Sequence, residues 1–149
     1  MSVANQLKII QANAHAYYLQ LHQVHWLVQG PRFKAMHEMT ESYYERMSEL
    51  YDDAGERLLQ KGLLPLLQQK ELMQAATIAE LSATRFDEKE VLAYVESMLN
   101  HWHESFKKLV DVAEEEGDRV TAGMADEQLE TLEKDIWMLK ATKGEASYL

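Results

Sequence analysis

The sequence predicts an all-α fold, a bundle of four long helices with a long crossover between the second and the third. Three observations support this prediction. Apolar residues recur at spacings of three and four along four separate stretches, which is the period of a helix that is buried on one side. A glycine follows each stretch, as is common just after a helix. No stretch shows the alternation of apolar and polar residues that marks a strand.

The first two helices are expected to meet at Gly30-Pro31. Gly suits the position after a helix and Pro suits the first position of the next, so a tight corner is predicted there. The second helix is expected from Pro31 to near Leu59, with Gly62 as its stop. The apolar side of the first helix consists of Leu7, Ile10, Ala14, Tyr17, Leu21, Val24 and Val28. That of the second includes Phe33, Met36, Tyr43, Met47, Leu50, Tyr51, Ala54 and Leu58.

Residues 62–86 form the predicted crossover. Within it, Thr77 and Glu80 have the spacing of a capping box, from which a short helix is expected to start.

A second capping box begins the third long helix. Asp87 and Glu90 form this box, and Gly117 is the expected stop. The fourth helix is expected from about Val120 to Thr142, before Gly144. Four amphipathic helices with one long crossover describe a ferritin-like four-helix bundle.

Length and composition favour a single domain over residues 1–149, with 46% apolar residues to form one core. The formal charge of −10 disfavours polyanions such as DNA unless a locally basic patch overrides it. The absence of cysteine excludes disulfides, thiol nucleophiles and iron–sulfur clusters. Neither a signal peptide nor a membrane-spanning stretch is evident, so a soluble cytoplasmic protein is expected.

Five candidate metal ligands stand out between residues 25 and 56: His25, His37, Glu41, Asp52 and Glu56. Imidazole and carboxylate together suit iron, manganese or zinc. The four on the second helix fall within an arc of about 100°, away from its apolar side. A solvated acidic face explains the carboxylates equally well. Spacing alone therefore leaves a metal site and an ordinary surface both open.

Axial distance separates these candidates into two sets. Glu41 and Asp52 are 11 residues apart, or about 16 Å along a helix, too far to share one small metal cluster. If both sets serve one site, a second antiparallel chain must supply the missing set, and a twofold dimer would contain two such sites. The Glu-x-x-His pairs of an intrachain diiron core occur nowhere in the sequence. Their absence favours the interchain arrangement.

The same stretch resembles the Dps family, or miniferritins. The family pattern is His-Trp, a Gly-centred corner, a His-Glu step, Asp, and then Asp-x-x-x-Glu-Arg-Leu. The matching residues here are His25-Trp26, Gly30-Pro31, Met36-His37-Glu38, Glu41 and Asp52-Asp53-Ala54-Gly55-Glu56-Arg57-Leu58. The similarity continues more loosely through Glu116-Gly117-Asp118 and Ile136-Trp137-Met138, and so covers most of the chain.

This resemblance implies a hollow homododecamer that oxidises ferrous iron, usually with hydrogen peroxide, and stores ferric mineral. By position, Asp52 and Glu56 of one subunit with His25 of its neighbour would form the stronger iron site. His37 and Glu41 of that neighbour would support the second iron position. The family usually has Asp where this chain has Glu41, and the extra methylene changes where the carboxylate reaches.

Two further features carry a role implied by the resemblance. Trp26 is similar to the family's near-site aromatic residue, although a packed residue at the helix corner is an equally good explanation. An acidic cluster, Glu114, Glu115, Glu116 and Asp118, matches the region that lines iron-entry pores. Negative charge at a helix C-terminus is unfavourable by about 0.3–1 kcal/mol per charge, which suggests a functional reason for it.

Two alternatives to an active iron-oxidising store remain. One is a DNA-binding, nucleoid-protecting cage with little ferroxidase activity. Family members that bind DNA commonly use Lys- or Arg-rich tails, whereas the first ten residues here contain only Lys8 and none of the residues after Gly144 is basic. We therefore expect no appreciable DNA binding at physiological salt. The other alternative is a cage that assembles but oxidises iron poorly because of Glu41.

Overall fold

The computed structural model describes residues 1–149 and contains five helices and no strand. The helices are α1 (Val3–Leu27), α2 (Phe33–Gln60), α3 (Gln69–Ala75), α4 (Glu88–Glu115) and α5 (Arg119–Thr142). The only β-type pairing is an isolated parallel bridge between Val28 and Phe86. None of the helices has the length and apolar content that crossing a membrane requires. The predictions of four long helices and of a crossover with a short helix are confirmed.

The chain divides into two compact units, of which one covers Ala4–Val91. In this unit α1 ends at Leu27 and α2 begins at Phe33, so the corner is slightly longer than predicted. Gly30 has a φ of 121°, a backbone conformation that residues with a side chain rarely adopt. The amide of Phe33 donates to the carbonyl of Gly30 at 3.0 Å and starts the second helix. The buried apolar residues of the pair include Leu7, Ile10, Leu21, Val24, Met36, Met47, Leu50 and Leu58.

Side-chain amides of α1 hold the crossover in place. Gln11 donates to the carbonyl of Leu66 and accepts from its amide, both at 2.9 Å. Asn13 accepts from the amide of Thr77 at 2.8 Å and donates to its hydroxyl at 2.9 Å. Further along α1, Gln20 and Gln23 donate to crossover carbonyls at 2.7–2.8 Å. These side chains satisfy backbone groups that an extended segment cannot pair within itself.

The short helix of the crossover lies earlier in the chain than predicted. It begins after Gln68, which forms a capping box with Glu71, and it ends at Ala75. The predicted start at Thr77 is wrong because both the amide and the hydroxyl of Thr77 are hydrogen-bonded to Asn13. The Thr77 hydroxyl accepts from Asn13 instead of from a helix amide, and residues 77–86 contain no helix.

The second unit covers Met1–Val3 and Leu92–Leu149. Gly117 has a φ of 70° and ends α4 as predicted, and the amide of Asp118 donates to the carbonyl of Ala113 at 2.8 Å. Asp118 then caps α5. Lys143, just after α5, is paired with Glu96 of α4 at 2.6 Å. Buried residues of this unit include Val95, Met98, Leu99, Trp102, Leu109, Ala125, Leu132 and Leu139.

The predicted start of α4 is also confirmed. The amide of Glu90 donates to the carboxylate of Asp87 at 2.8 Å. The carboxylate of Glu90 accepts from the amide of Asp87 at 3.3 Å.

The role of Asn13 in the crossover is testable. Because Asn13 is fully buried, Asn13→Ala should leave the Thr77 backbone amide without its partner and lower the free energy of unfolding by about 1–3 kcal/mol. Equilibrium urea denaturation at fixed protein concentration measures this change. Hydrogen exchange at Thr77 should accelerate as well. The control, Gln20→Ala, removes one exposed hydrogen bond and should cost no more than about 0.5 kcal/mol. Equal losses in the two variants would contradict the assignment.

Candidate metal centre

Two histidines meet across the corner between α1 and α2. The Nδ1 of His25 lies 2.7 Å from the carbonyl oxygen of His37, and the Nδ1 of His37 lies 2.8 Å from the carbonyl oxygen of His25. Their rings stack with centroids 3.5 Å apart and planes 14° apart. A carbonyl oxygen only accepts hydrogen bonds, so each Nδ1 carries the hydrogen. In the neutral rings each Nε2 therefore keeps its lone pair, which is the form that binds a metal ion.

Burial supports this state of His25. Its side chain is 6% exposed, and the loss of hydration lowers its pKa from the ordinary value, while the hydrogen bond to the His37 backbone acts in the opposite direction. The fully buried Thr40 adds a second contact, since its hydroxyl oxygen lies 3.2 Å from Nδ1 of His25. The Thr40 hydroxyl itself donates to the carbonyl of Met36 or His37, at 2.8 and 3.0 Å. His25 is thus fixed in position and favoured in its neutral form.

Glu41 lies one turn after His37 on α2 and is exposed. Its carboxylate accepts a hydrogen bond from the hydroxyl of Tyr44 at 3.2 Å. Loss of hydration, followed by this hydrogen bond, raises the pKa of Tyr44, so the phenol stays protonated and remains a donor at neutral pH. The carboxylate is consequently held by a neighbour on its own helix.

The second set of candidates forms a carboxylate cluster farther along α2. Ligand atoms of Asp52, Asp53 and Glu56 all lie within 4.8 Å of one another, the only such group of three or more acidic or histidine side chains in the chain. Loss of hydration, and then the negative charges of Asp52 and Glu49, raise the pKa of Asp53. A bound cation would relieve this repulsion. Exposed acidic groups of this kind also occur without metal, so the cluster alone does not establish a site.

The structure brings the five predicted residues together as two sets. His25 and His37 are in direct contact, and Glu41 follows on the next turn; Asp52 and Glu56 belong to the carboxylate cluster. Except for His25 on α1, the members of both sets lie on one continuous helix, α2, where Asp52 follows Glu41 by 11 residues. At about 1.5 Å per residue, one chain cannot bring both sets to a single ion.

Comparison with known proteins identifies the family. A family model described as a ferritin-like domain matches residues 4–147. The DNA protection during starvation protein of Helicobacter pylori is 38% identical over 135 residues, which cover 91% of this chain and 94% of the relative. The crystal structure of Helicobacter cinaedi CAIP is 36% identical with a TM-score of 0.92, and the match covers 97% of this chain and 100% of that one. Dps from Listeria innocua is 28% identical with a TM-score of 0.92 over 98% of this chain and 97% of that one. The chain belongs to the Dps family.

Membership confirms the predicted all-α, ferritin-like bundle and places the chain in a family that is known for iron storage. The four helices of a ferritin-like bundle can carry metal ligands on their facing sides. In this Dps chain, however, Glu41 and the members of the carboxylate cluster are all exposed. Their exposure agrees with the prediction that they point away from the chain's own core.

The acidic cluster after α4 has structural partners that the sequence did not reveal. Glu116 accepts from the amide of Val3, the first residue of α1, at 2.9 Å. Asp118 accepts from the amide and the hydroxyl of Thr121 at 3.1 and 2.6 Å. Both carboxylates thus lie at helix N-termini, where negative charge is favourable. Glu114 and Glu115 are exposed at the end of α4. The iron-entry role of the four residues stays a prediction.

Trp26 is 67% exposed, so it is not packed into the helix corner of its own chain. Its ring centroid lies 5.4 Å from that of His22, which is the residue one turn earlier on α1. It follows His25 directly in sequence. The near-site position and an electron-supplying role both stay predictions.

Sequence reasoning did not single out Thr40, Tyr44 or Asp53. Thr40 and Tyr44 follow His37 by three and seven residues, which places them on the same side of α2 as His37. That spacing could have indicated both as neighbours of the histidine pair. Asp53 could have been found only as the direct neighbour of Asp52, because its place in the cluster depends on side-chain geometry.

The tautomer of the histidine pair is testable in metal-free protein. At mildly alkaline pH, both His25 and His37 should carry the hydrogen on Nδ1, as measured by ¹⁵N NMR of histidine-labelled protein with single His→Gln variants for assignment. On acidification, His25 should protonate below the ordinary value of 6.5. Its contribution to folding stability is therefore complete above that pH and declines below it. A hydrogen on Nε2 of either ring would contradict the geometry.

Proposed function

We propose that this Dps protein is a ferroxidase and iron store, an oxidoreductase that acts on metal ions at sites shared between two subunits. The observation that carries the proposal is the separation of the candidate ligands into two sets, with His25, His37 and Glu41 near the α1–α2 corner and Asp52 and Glu56 farther along α2. A twofold pair of antiparallel chains supplies both sets to each of two sites. Twelve such subunits form the hollow cage in which the ferric product is stored.

In the proposed site, Asp52 and Glu56 of one subunit bind the first iron together with His25 of the partner subunit. His37 and Glu41 of the partner subunit support the second iron position. Two carboxylates, with oxygen donors, favour the higher charge of ferric ion, and neutral imidazoles complete a ligand set suited to iron. The hydrogen bonds at Nδ1 of both histidines fix the ring orientation before metal arrives.

The proposed reaction needs no nucleophile from the protein. Each of two ferrous ions gives up one electron, and the two electrons break the O–O bond of one hydrogen peroxide molecule, which takes up two protons and leaves as two waters. Iron is the substrate of this step and its ferric form is the stored cargo. Because peroxide is consumed with the iron, the same step removes both reactants of damaging radical chemistry. Molecular oxygen is the alternative oxidant.

Charge supports a metal-handling function over a DNA-coating one. The formal charge of −10 per chain is multiplied twelvefold in a dodecamer, which attracts ferrous ions and repels phosphate. The last five residues, Glu145–Leu149, contain no basic side chain. We accordingly propose a cytoplasmic iron store that binds no DNA appreciably at physiological salt.

Subunit complementation tests the shared site. His37→Ala and Glu56→Ala chains should each lose most of their ferrous oxidation with peroxide, because each removes one of the two ligand sets. Cages reassembled from a mixture should recover part of the rate, since a pair of unlike chains rebuilds one intact site. The initial rate of ferric absorbance increase measures this.

The matched control is Glu38→Ala. Glu38 is an exposed acidic residue of α2 next to His37 that belongs to neither set, so its variant should oxidise iron at the parent rate. If mixed cages regain nothing while all variants assemble to the parent size, a shared site is excluded.

The presence of Glu41, where the family usually has Asp, can be tested by substitution. We expect Glu41→Asp to oxidise iron within about threefold of the parent rate, because both residues supply a carboxylate on the same face of α2, and Glu41→Ala to fall about tenfold or more. Parallel rate measurements at saturating ferrous iron compare the three. A large rise in Glu41→Asp would instead identify the parent as a cage that oxidises iron poorly.

A further inference from the structure

We infer that Tyr44 is a positioning residue for Glu41, which it holds at the second iron position of the proposed site. The inference rests on the proposed function and extends it to a residue outside the candidate ligand set. The Tyr44 hydroxyl contacts the candidate ligand Glu41, and aromatic side chains of α1 hold the Tyr44 ring in place.

The ring of Tyr44 is held by aromatic side chains of α1. It stacks on His22 with centroids 3.9 Å apart and planes 23° apart. Tyr18 meets it edge-on at 5.9 Å, and His25 meets it edge-on at 5.2 Å. The hydrogen bond from His22 to the carbonyl of Tyr18, at 2.8 Å, fixes the His22 ring in turn. Contacts on several sides leave the phenol ring little freedom to turn.

From this fixed ring the hydroxyl reaches Glu41 at 3.2 Å. Tyr44 therefore touches one candidate ligand with its hydroxyl and another, His25, with its ring. The histidine and the carboxylate thus share a single neighbour, whose hydroxyl restrains the carboxylate beside a histidine that is already fixed. Outer partners of this kind orient metal ligands and affect metal affinity without touching the ion.

Glu41 needs such a partner more than an aspartate would. Its side chain has one more rotatable bond, so an exposed Glu41 loses more conformational freedom when its carboxylate is fixed. The hydrogen bond from Tyr44 fixes the carboxylate before iron binds and removes part of that loss. An Asp at this position would be one methylene shorter, so its carboxylate would no longer reach the hydroxyl at the distance seen for Glu41.

The experiment measures ferrous binding under anaerobic conditions by isothermal titration calorimetry on the assembled protein, and initial oxidation rates with peroxide. Tyr44→Phe keeps the ring and removes only the hydroxyl. We expect it to weaken the lower-affinity ferrous site about three- to tenfold and leave the higher-affinity site unchanged. The control is Tyr18→Phe, whose hydroxyl makes no hydrogen bond to Glu41, and it should bind iron as the parent does.

A double variant separates positioning from packing. In the Glu41→Asp background, Tyr44→Phe should cause no further loss, because the contact that it removes is already absent. Two results would overturn the inference even if the parent binds and oxidises iron. One is parent-like iron binding by Tyr44→Phe, and the other is an equal loss of affinity in the parent and Glu41→Asp backgrounds. A parent that binds no ferrous ion would overturn the proposed function and this inference with it.

Discussion

The two reciprocal hydrogen bonds between His25 and His37 are the constraint on which the candidate centre depends. Each ring donates to the backbone of the other residue, so a single pair of contacts, at 2.7 and 2.8 Å, both closes the corner between α1 and α2 and assigns the tautomer of both rings. An exposed pair would exchange these bonds with water. His25 is buried and backed by Thr40, so its contact persists. The corner and the metal-binding form of the histidines are therefore one structural feature.

Local patterns were enough to predict the long helices, but they did not fix the path of the crossover. The Asp87 and Glu90 pair and Gly117 act within a few residues of a helix end, and their predicted roles are confirmed. The helix expected at Thr77 is absent because Asn13, 64 residues away, hydrogen-bonds to the amide and the hydroxyl of Thr77. A local capping signal carries no information about such a distant competitor. Side chains of α1 determine the path of the crossover, and no residue within the crossover identifies them.

The candidate site likewise has features that helical spacing predicted and features that it could not predict. Helical spacing placed Glu41, Asp52 and Glu56 on an exposed face and separated them along the axis, and both features hold in the structure. Those properties depend on α2 alone. The stacked histidines depend on how two helices meet, and the contact of Tyr44 with Glu41 depends on rings from α1. Spacing along one helix therefore predicted which residues share a face. Contacts between helices determine the tautomer of the histidines and the position of the Tyr44 ring beside Glu41.

The division of ligands along α2 links iron binding to assembly in the proposed site. Asp52, Asp53 and Glu56 crowd negative charge on an exposed surface. The pKa of Asp53 is raised first by loss of hydration and then by the charges of Asp52 and Glu49. A cation bound there reduces the repulsion, and so favours the approach of a second acidic chain. If bound iron strengthens the association of two chains by some factor, association of the chains must strengthen iron binding by the same factor. In that arrangement a lone chain carries both sets too far apart to complete a site, and it would bind ferrous ion weakly. Oxidation would then be confined to the assembled cage, where the ferric product has a cavity to enter.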